Sequence, residues 1–588
     1  MGNDRDLPDA LNPDFLALGL GGTNMMAMLW SVAMGRSAVG VEMRGDPAPG
    51  AGWNIAADTY HQLGLVDQMM LERYGEERLP RRGDGRIFRL AECFHSPGAV
   101  SGTIAVEEVI DCYIDFEDEE LKVAGNLEYN EFIDDRWQNG TPHRVVSALP
   151  AAKIPEAPDP RLIRTDVAEI LQDTFPFQVS AAELLTLMRR YLEELAKMDL
   201  AEGLEEPRVR LFSTHRAITA ADGGGFSDAP DGRKRIRVEA LQELDFRGYF
   251  VHVRRPGSKI IDIGVPELFM VAQGPESTDA EQLGYRAEPV VLDHGDGRGP
   301  VPATADFVAT LFSMYAQGRF RYRISTELDE DNDEYWTRQM LIGHENDPEV
   351  GWIMVQVPEF MTFDPVAKGM VSADTDDSSP RYFAAYQQLL KEFFLDRAEE
   401  LLELPKKVVK RINTFYGPKL VTITMRAGTD AQVAPNGVVA GETFGNGHFI
   451  NGGNSVTGMT GHSSRVLRYW QQRDAGETPE EAIRVLADGI KEDTESWIRV
   501  SEKEFAEAPQ HHFNEECFRE IAAARNHRRH LVTLDLSDWN RLLVHAGRLH
   551  TAPLPPPADE HPATRGLGWT RAQAQAESVL IPESVNVG

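Results

Sequence analysis

The stretch 14–44, DFLALGLGGTNMMAMLWSVAMGRSAVGVEMR, constrains the fold more than any other part of the 588-residue chain. An apolar run, Phe15–Leu18, enters a glycine turn, and an apolar helix follows. A second apolar run at 38–43 carries Glu42 near its end. This is the order of a βαβ unit that binds a dinucleotide. Gly19 permits the tight turn, and Gly21 lets the backbone approach a pyrophosphate. Gly22, Thr23 and Asn24 open the helix, whose unpaired N–H groups and positive dipole end suit that anion. Glu42 lies 18 residues beyond Asn24, where an acid accepts the ribose hydroxyls of an adenosine. Asn24 stands where the full fingerprint has a third glycine or an alanine. Met43 and Arg44 follow the acid. Arg44 is either a partner for an adenosine phosphate or ribose, or a plain surface arginine.

A chain of this length exceeds one core, and the length prior suggests about four domain-sized units. Apolar residues make up 42% and charged residues 26%, ordinary values for a soluble protein. With 60 basic and 93 acidic residues the net charge is −33, which disfavours nucleic acid and anionic membrane as partners. The three cysteines, Cys93, Cys112 and Cys517, share no metal-like spacing and read as reduced thiols. The polar, acidic N-terminus does not read as a signal peptide, and no apolar run is long enough to span a membrane. The expected location is cytoplasmic.

Further along, a Pro/Gly loop at 46–53 includes Gly52 and Trp53, a residue placed either to approach a cofactor or to cover a core edge. Helical periodicity follows at 59–75. Residues 76–178 mix acidic runs and proline clusters and read as an insertion. Ser180, with Glu183 three residues on, predicts a capped helix. Strands are expected at 209–214, 235–254, 259–265 and 268–275, and then at 320–325, 351–357 and 420–425, the last group interrupted by a helix over 381–404. Thr478, Pro479 and Glu481 signal another helix start, with helices continuing to about 530. A proline-rich linker after 551 leads into a polar tail.

The segment 434–470, APNGVVAGETFGNGHFINGGNSVTGMTGHSSRVLRYW, repeats the logic of the N-terminus. A short strand ends at Gly441 and Glu442, a glycine-rich loop follows, and 455–470 looks helical. A carboxylate at a strand end can accept a ribityl hydroxyl, and a glycine-rich helix start can face N–H groups toward a flavin.

In these features the chain resembles the glutathione-reductase-type FAD superfamily and its flavin monooxygenases. The resemblance rests on three segments, in the family's order. They are Gly19, Leu20 and Gly21 with Glu42; the helix from Ser180 and the strand from Val209, closing at Val271, Ala272, Gln273 and Gly274; and Gly441–Glu442 with Gly452 and Gly453. Glu442 stands where the family usually has aspartate. The resemblance implies an α/β fold, a Rossmann-like FAD-binding domain built from discontinuous segments (1–75, 179–275 and 431–475). It also implies a β-rich substrate domain at 276–430 and a helical C-terminal extension at 476–550, with a linker and tail at 551–588. Implied cofactor-side residues include Ala272, Gly274, Gly441, Glu442, Gly453, Asn454, Ser455 and Val456.

No second strand–GxGxxG–helix unit is present, and Gly223–Gly225 reads as a loop. The expected activity is therefore that of a single-Rossmann FAD-dependent monooxygenase acting on a small-molecule biosynthetic intermediate. In that chemistry NAD(P)H is a transient reductant, and O₂ forms a C4a-(hydro)peroxyflavin that transfers one oxygen atom. A flavin oxidase or dehydrogenase, taking hydride from substrate, is the alternative. A homo-oligomer is compatible with the sequence.

His448 and Asn446 on the glycine-rich loop are the catalytic candidates, His448 as acid/base or hydrogen-bond donor. His462 lies on the same segment. The competing reading makes these histidines structural, satisfying loop backbone groups, and makes Asn446, Asn451 and Asn454 turn residues. Arg321 and Arg323 either face an acidic substrate or line a solvated strand face. His511, His512, Cys517, His527 and His530 lack a metal-binding pattern, so no metal is expected.

Overall fold

The computed structural model describes residues 10–45, 52–91, 100–102, 109–112, 143–147, 158–171, 177–204, 207–246, 249–255, 257–293, 299–313, 319–328, 334–343, 350–358, 361–402, 409, 414–448, 453–502 and 529–533. At its centre is a six-stranded sheet. Its strands are β1 (Phe15–Leu18), β2 (Ala38–Glu42), β3 (Val209–Ser213), β4 (Leu268–Val271), β5 (Gln432–Ala434) and β6 (Gly437–Val439), in the order β5-β6-β4-β1-β2-β3. All neighbours run parallel except β5, which is antiparallel to β6. Phe15 registers with both Leu268 and Ala38, and Leu18 with both Val271 and Val41. Strands buried on both faces read as unbroken apolar runs, which is why FLAL and LFMV form the middle of the sheet. Three sequence segments separated by long insertions thus close one layer.

Helices α1 (Gly22–Ala33), α2 (Ala57–Tyr74) and α3 (Ala181–Ala201) cover this sheet together with α4 (Ser463–Asp474) and α5 (Pro479–Ser501). Every residue of α1 except Thr23 is buried. An all-round apolar helix is stable in water only when enclosed, and α4 closes its outer side. There the Trp470 indole N–H donates to Ser31 Oγ at 2.8 Å. The expected start of α5 is a capping box, in which Thr478 Oγ1 accepts Glu481 N–H at 3.2 Å and Pro479 occupies the first turn.

An antiparallel sheet of eight strands forms the second layer. Its order is Thr414–Thr424, Thr304–Ser313, Val350–Gln356, Glu334–Gly343, Arg319–Leu328, His143–Ser147 and Val109–Cys112, with Arg529–Thr533 also pairing on Arg319–Leu328. Helix Pro380–Leu402 packs on one face, burying Leu390, Phe393 and Ala398 against Val308, Ile353 and Val355. Side chains alternate along a strand, so Phe307, next to Val308, faces the other way and meets the ring of His448.

Two local expectations change. The 46–53 loop gives way at its end to a strand, Gly52–Ile55, paired with Phe177–Ser180. Of the helices expected to about 530, α5 ends at Ser501. Residues 503–528 lie outside the described set, and Arg529–Thr533 is a strand that completes the antiparallel sheet. The i, i+3 helical spacing of His527 and His530 is therefore not realised at His530, while His511, His512, Cys517 and His527 lie outside the described residues. No described helix is long and apolar enough to cross a membrane.

Candidate dinucleotide-binding site

A cleft of about 520 Å³ opens at the carboxyl ends of β1, β2, β4 and β6. This is where the strand order of an open parallel sheet reverses and leaves a crevice for a ligand. The cleft brings together thirteen of the residues singled out from sequence: Gly19, Gly21, Gly22, Thr23, Glu42, Met43, Arg44, Ala272, Gly274, Gly441, Glu442, Asn454 and Ser455. They come from the three separated segments.

The glycine turn is shaped by close approach. Gly19 has φ +89°, and a Cβ there would lie 2.7 Å from Ala272 O. Gly21 is different, because a Cβ on it would meet nothing within 4 Å and would project into open space. It is also the N-cap of α1, which has no side-chain cap. The first N–H groups of α1 thus have no capping side chain, and the helix end retains its positive partial charge. At the end of β2, Glu42 Oε2 accepts Leu20 N–H at 2.7 Å and Oε1 accepts Arg44 N–H at 2.9 Å. The carboxylate is thereby held against the glycine turn.

Asn24 does not line the cleft. It is fully buried, and its Nδ2 lies 2.9 Å from Leu18 O, 2.7 Å from Gly19 O and 3.3 Å from Met270 O. The residue that replaces the third glycine therefore fastens the turn to β1 and β4.

On the other side, Gln273 N–H donates to Thr443 Oγ1 and that hydroxyl donates to Gly274 O, both at 2.8 Å, joining the loops after β4 and β6. Glu442 accepts Asn454 Nδ2 at 3.3 Å, and burial pushes its carboxyl above the usual range. Beyond Gly453 the chain winds as a π-helix, Val456–His462. His462, fully buried, accepts Gly441 N–H on Nδ1 at 2.9 Å.

Of the remaining candidates, Gly453, Val456, His448 and Asn446 do not line the cleft. Gly453 faces Trp497, where a Cβ would come within 2.1 Å of the indole, and Val456 is buried with Ala56, Val167 and Trp497. Gly52 and Trp53 sit on the paired strand described above. His448 is fully buried, its N–H donates to Ser501 Oγ at 2.9 Å, and its ring meets Phe307 edge-on at 5.7 Å. Asn446 donates from Nδ2 to Thr424 O at 2.9 Å. Arg321 and Arg323 lie on Arg319–Leu328.

Sequence reasoning missed Leu185, Arg216, Asp279 and Met459 on the cleft wall. Asp279 follows the end of β4 closely, and position after a parallel strand was the available signal. Leu185 and Arg216 carry none. Arg216 is held by Glu239, itself fully buried, through contacts of 3.1 Å.

Asp279 is 2% exposed, and burial raises its carboxyl from 3.8 to about 6 against a hydrogen bond from Gln273. The native protein thus holds this proton more tightly than the unfolded chain. Its stabilisation is complete below 3.8 and is lost as pH rises through about 6. Asp279→Asn is expected to remove that slope and to be more stable than the parent at pH 7.5 by on the order of 1–3 kcal/mol. Thermal melts of both proteins from pH 4 to 8 check this; parallel curves would refute it.

No family profile matches the sequence, and no curated protein does. Solved structures with a similar course of chain include the flavin-dependent monooxygenase PieE in complex with FAD and substrate (12% identity, 95% of this chain and 79% of that one, TM-score 0.46). The p-nitrophenol 4-monooxygenase of Pseudomonas putida is similar at 10% identity, covering 92% and 100% of the two chains with a TM-score of 0.45. PqsL of Pseudomonas aeruginosa, a probable FAD-dependent monooxygenase, is similar at 12% identity, 87% and 99% coverage and a TM-score of 0.44. Likenesses this distant carry no function across, which has to rest on the cleft.

Proposed function

We propose that this chain is an FAD-dependent monooxygenase that oxidises a small molecule, with NAD(P)H as a transient reductant and O₂ as the oxygen source. The observation that carries the reading is the meeting, in one cleft, of an uncapped helix N-terminus, a ribose-side acid and a second strand-end acid from a segment some 400 residues away. The residues fit FAD. Gly21 and Gly274 leave open space where a Cβ would stand, so the backbone can lie against a pyrophosphate. Glu42 would accept adenosine ribose hydroxyls, and Glu442 with Asn454 would bond the ribityl chain.

FAD, when bound and reduced, supplies the oxygen-transfer chemistry. The protein's part is to bind, orient and exclude water. The α1 dipole would offset the pyrophosphate charge. Phe307 of the antiparallel sheet meets His448 on the loop beyond Glu442. His448 is buried at that boundary, where it would orient the loop or hold a proton near the reacting face. Among the described residues only one βαβ unit opens on a glycine turn of this kind. This supports a nicotinamide that meets the flavin transiently.

The test has two stages. Protein purified and then denatured should release FAD into the supernatant, and turnover under ¹⁸O₂ should place label in the product. Protein without FAD that also takes none up would overturn the reading. Flavin reduced by substrate, with no label incorporated, would make the chain an oxidase or dehydrogenase instead.

A further inference from the structure

Resting on the FAD reading, we infer that His462 is a positioning residue: it fixes the Gly441–Glu442 turn, and with it the carboxylate that meets the cofactor, through a single imidazole tautomer set by α5.

The hydrogen-bond network assigns that tautomer. His462 Nε2 lies 3.2 Å from Thr494 Oγ1, and the same hydroxyl lies 3.0 Å from Ile490 O. A carbonyl only accepts, so the hydroxyl proton goes to Ile490 and its oxygen must accept from Nε2–H. Nδ1 is then bare and faces the N–H of Gly441 at 2.9 Å. Each group in the chain Ile490–Thr494–His462–Gly441 has one role consistent with all the others. Burial pushes the imidazole down to about 3, so it remains neutral at any working pH. A second ring proton would set donor against donor at Gly441.

The turn needs this support. Gly441 has φ +60°, and a Cβ on it would lie 3.2 Å from Thr23 Oγ1. The strand end is thus folded tightly against the start of α1. A part-buried N–H at such a point costs free energy unless it is paired, and His462 provides the pair. The residue that follows is Glu442, which lines the cleft.

The π-helix accounts for the reach. Wider turns of this kind recur where a helix is bent to a functional purpose. A Cβ on Gly458, within it, would lie 2.2 Å from Thr23 Oγ1, so the turn lies directly on the start of α1. His462 closes the π-helix and is fully buried beneath Gly441.

Three variants test the assignment by fluorescence titration of FAD into cofactor-depleted protein, with thermal melts and the flavin's visible band recorded alongside. His462→Leu removes the acceptor and is expected to raise the FAD dissociation constant at least tenfold. His462→Asn retains an oxygen near the Nδ1 position and is expected to remain within about threefold of the parent. Thr494→Val removes the hydroxyl that accepts Nε2–H and should fall between, with a shifted visible band. This variant keeps the test open if His462→Leu does not fold. Equal losses for Leu and Asn, or parental affinity for both His462→Leu and Thr494→Val, would overturn the inference while leaving the FAD reading intact. A parent protein that binds no FAD would overturn both.

Discussion

Gly21→Val is expected to abolish FAD binding while leaving the protein as stable as before. The site of the new side chain is empty, with no atom within 4 Å of the added Cβ. The backbone there is extended (φ −77°, ψ 177°), a conformation open to any residue. Loss of glycine even lowers the entropy of the unfolded chain, a gain of about 0.4–1 kcal/mol. The valine branches would nonetheless occupy the space through which a pyrophosphate reaches the α1 N-terminus. We expect at least a hundredfold weaker binding, about 2.7 kcal/mol. Its neighbour in the motif behaves in the opposite way. Gly19→Ala places a Cβ at φ +89° against Ala272 O, and should cost about 1–3 kcal/mol of stability. Melting temperature and FAD titration, measured on both variants, separate the two roles. Gly21→Val protein that binds within threefold of the parent would show that the cofactor does not pass this point.

The second large effect lies away from the cleft. Asp199, near the end of α3, is fully buried and accepts Arg208 through its N–H (2.7 Å), Nε (2.8 Å) and Nη2 (2.6 Å). Arg208 also donates to Arg78 O at 2.9 Å and lies over the Tyr74 ring at 4.7 Å. One ion pair therefore ties α3, the approach to β3 and the end of α2. Removing one partner of such a pair leaves a buried charge unmatched, at a cost of about 3–5 kcal/mol. Asp199→Ala should lose that much in urea denaturation. The double variant Asp199→Leu with Arg208→Met should recover much of it, because no charge remains to be solvated. If the double variant is as unstable as the single one, the cost comes from packing and the charge argument fails.

Much of the parallel sheet was legible because its signals are local. An apolar run, a glycine turn, a second run and Glu42 fall within one short stretch and become β1, α1 and β2 in that order. In the second layer the runs 320–325, 351–357 and 420–425 were visible as strands, whereas Thr304–Ser313 and Glu334–Gly343 were not singled out. What stayed hidden depends on tertiary contact. Residues 455–470 read as plain helix, and nothing in VTGMTGH marks a π-turn. The wide register follows from close packing on Thr23, which sequence separation conceals. Arg216 reaches the cleft only because β3 lies beside β2. His448 and Asn446 attracted attention by their nearness in sequence to Glu442. The chain then turns into the short strand Gly445–Asn446, and both side chains leave the cleft wall. The strand Arg529–Thr533 illustrates the same limit, since its partner is contributed from some 200 residues earlier.

The order of strands also has a consequence at the ribosome. β1 sits between β2, which emerges almost at once, and β4, while β6 follows roughly 400 residues after β2. At bacterial and eukaryotic elongation rates that interval is on the order of 20–80 s. Within it the β2 edge waits for β3 and the β1 edge for β4, some 170 and 230 residues after β2, while the methionine-rich helix lacks the cover of α4 throughout. A chain truncated before α4 is therefore expected to aggregate rather than to persist as a smaller folded unit.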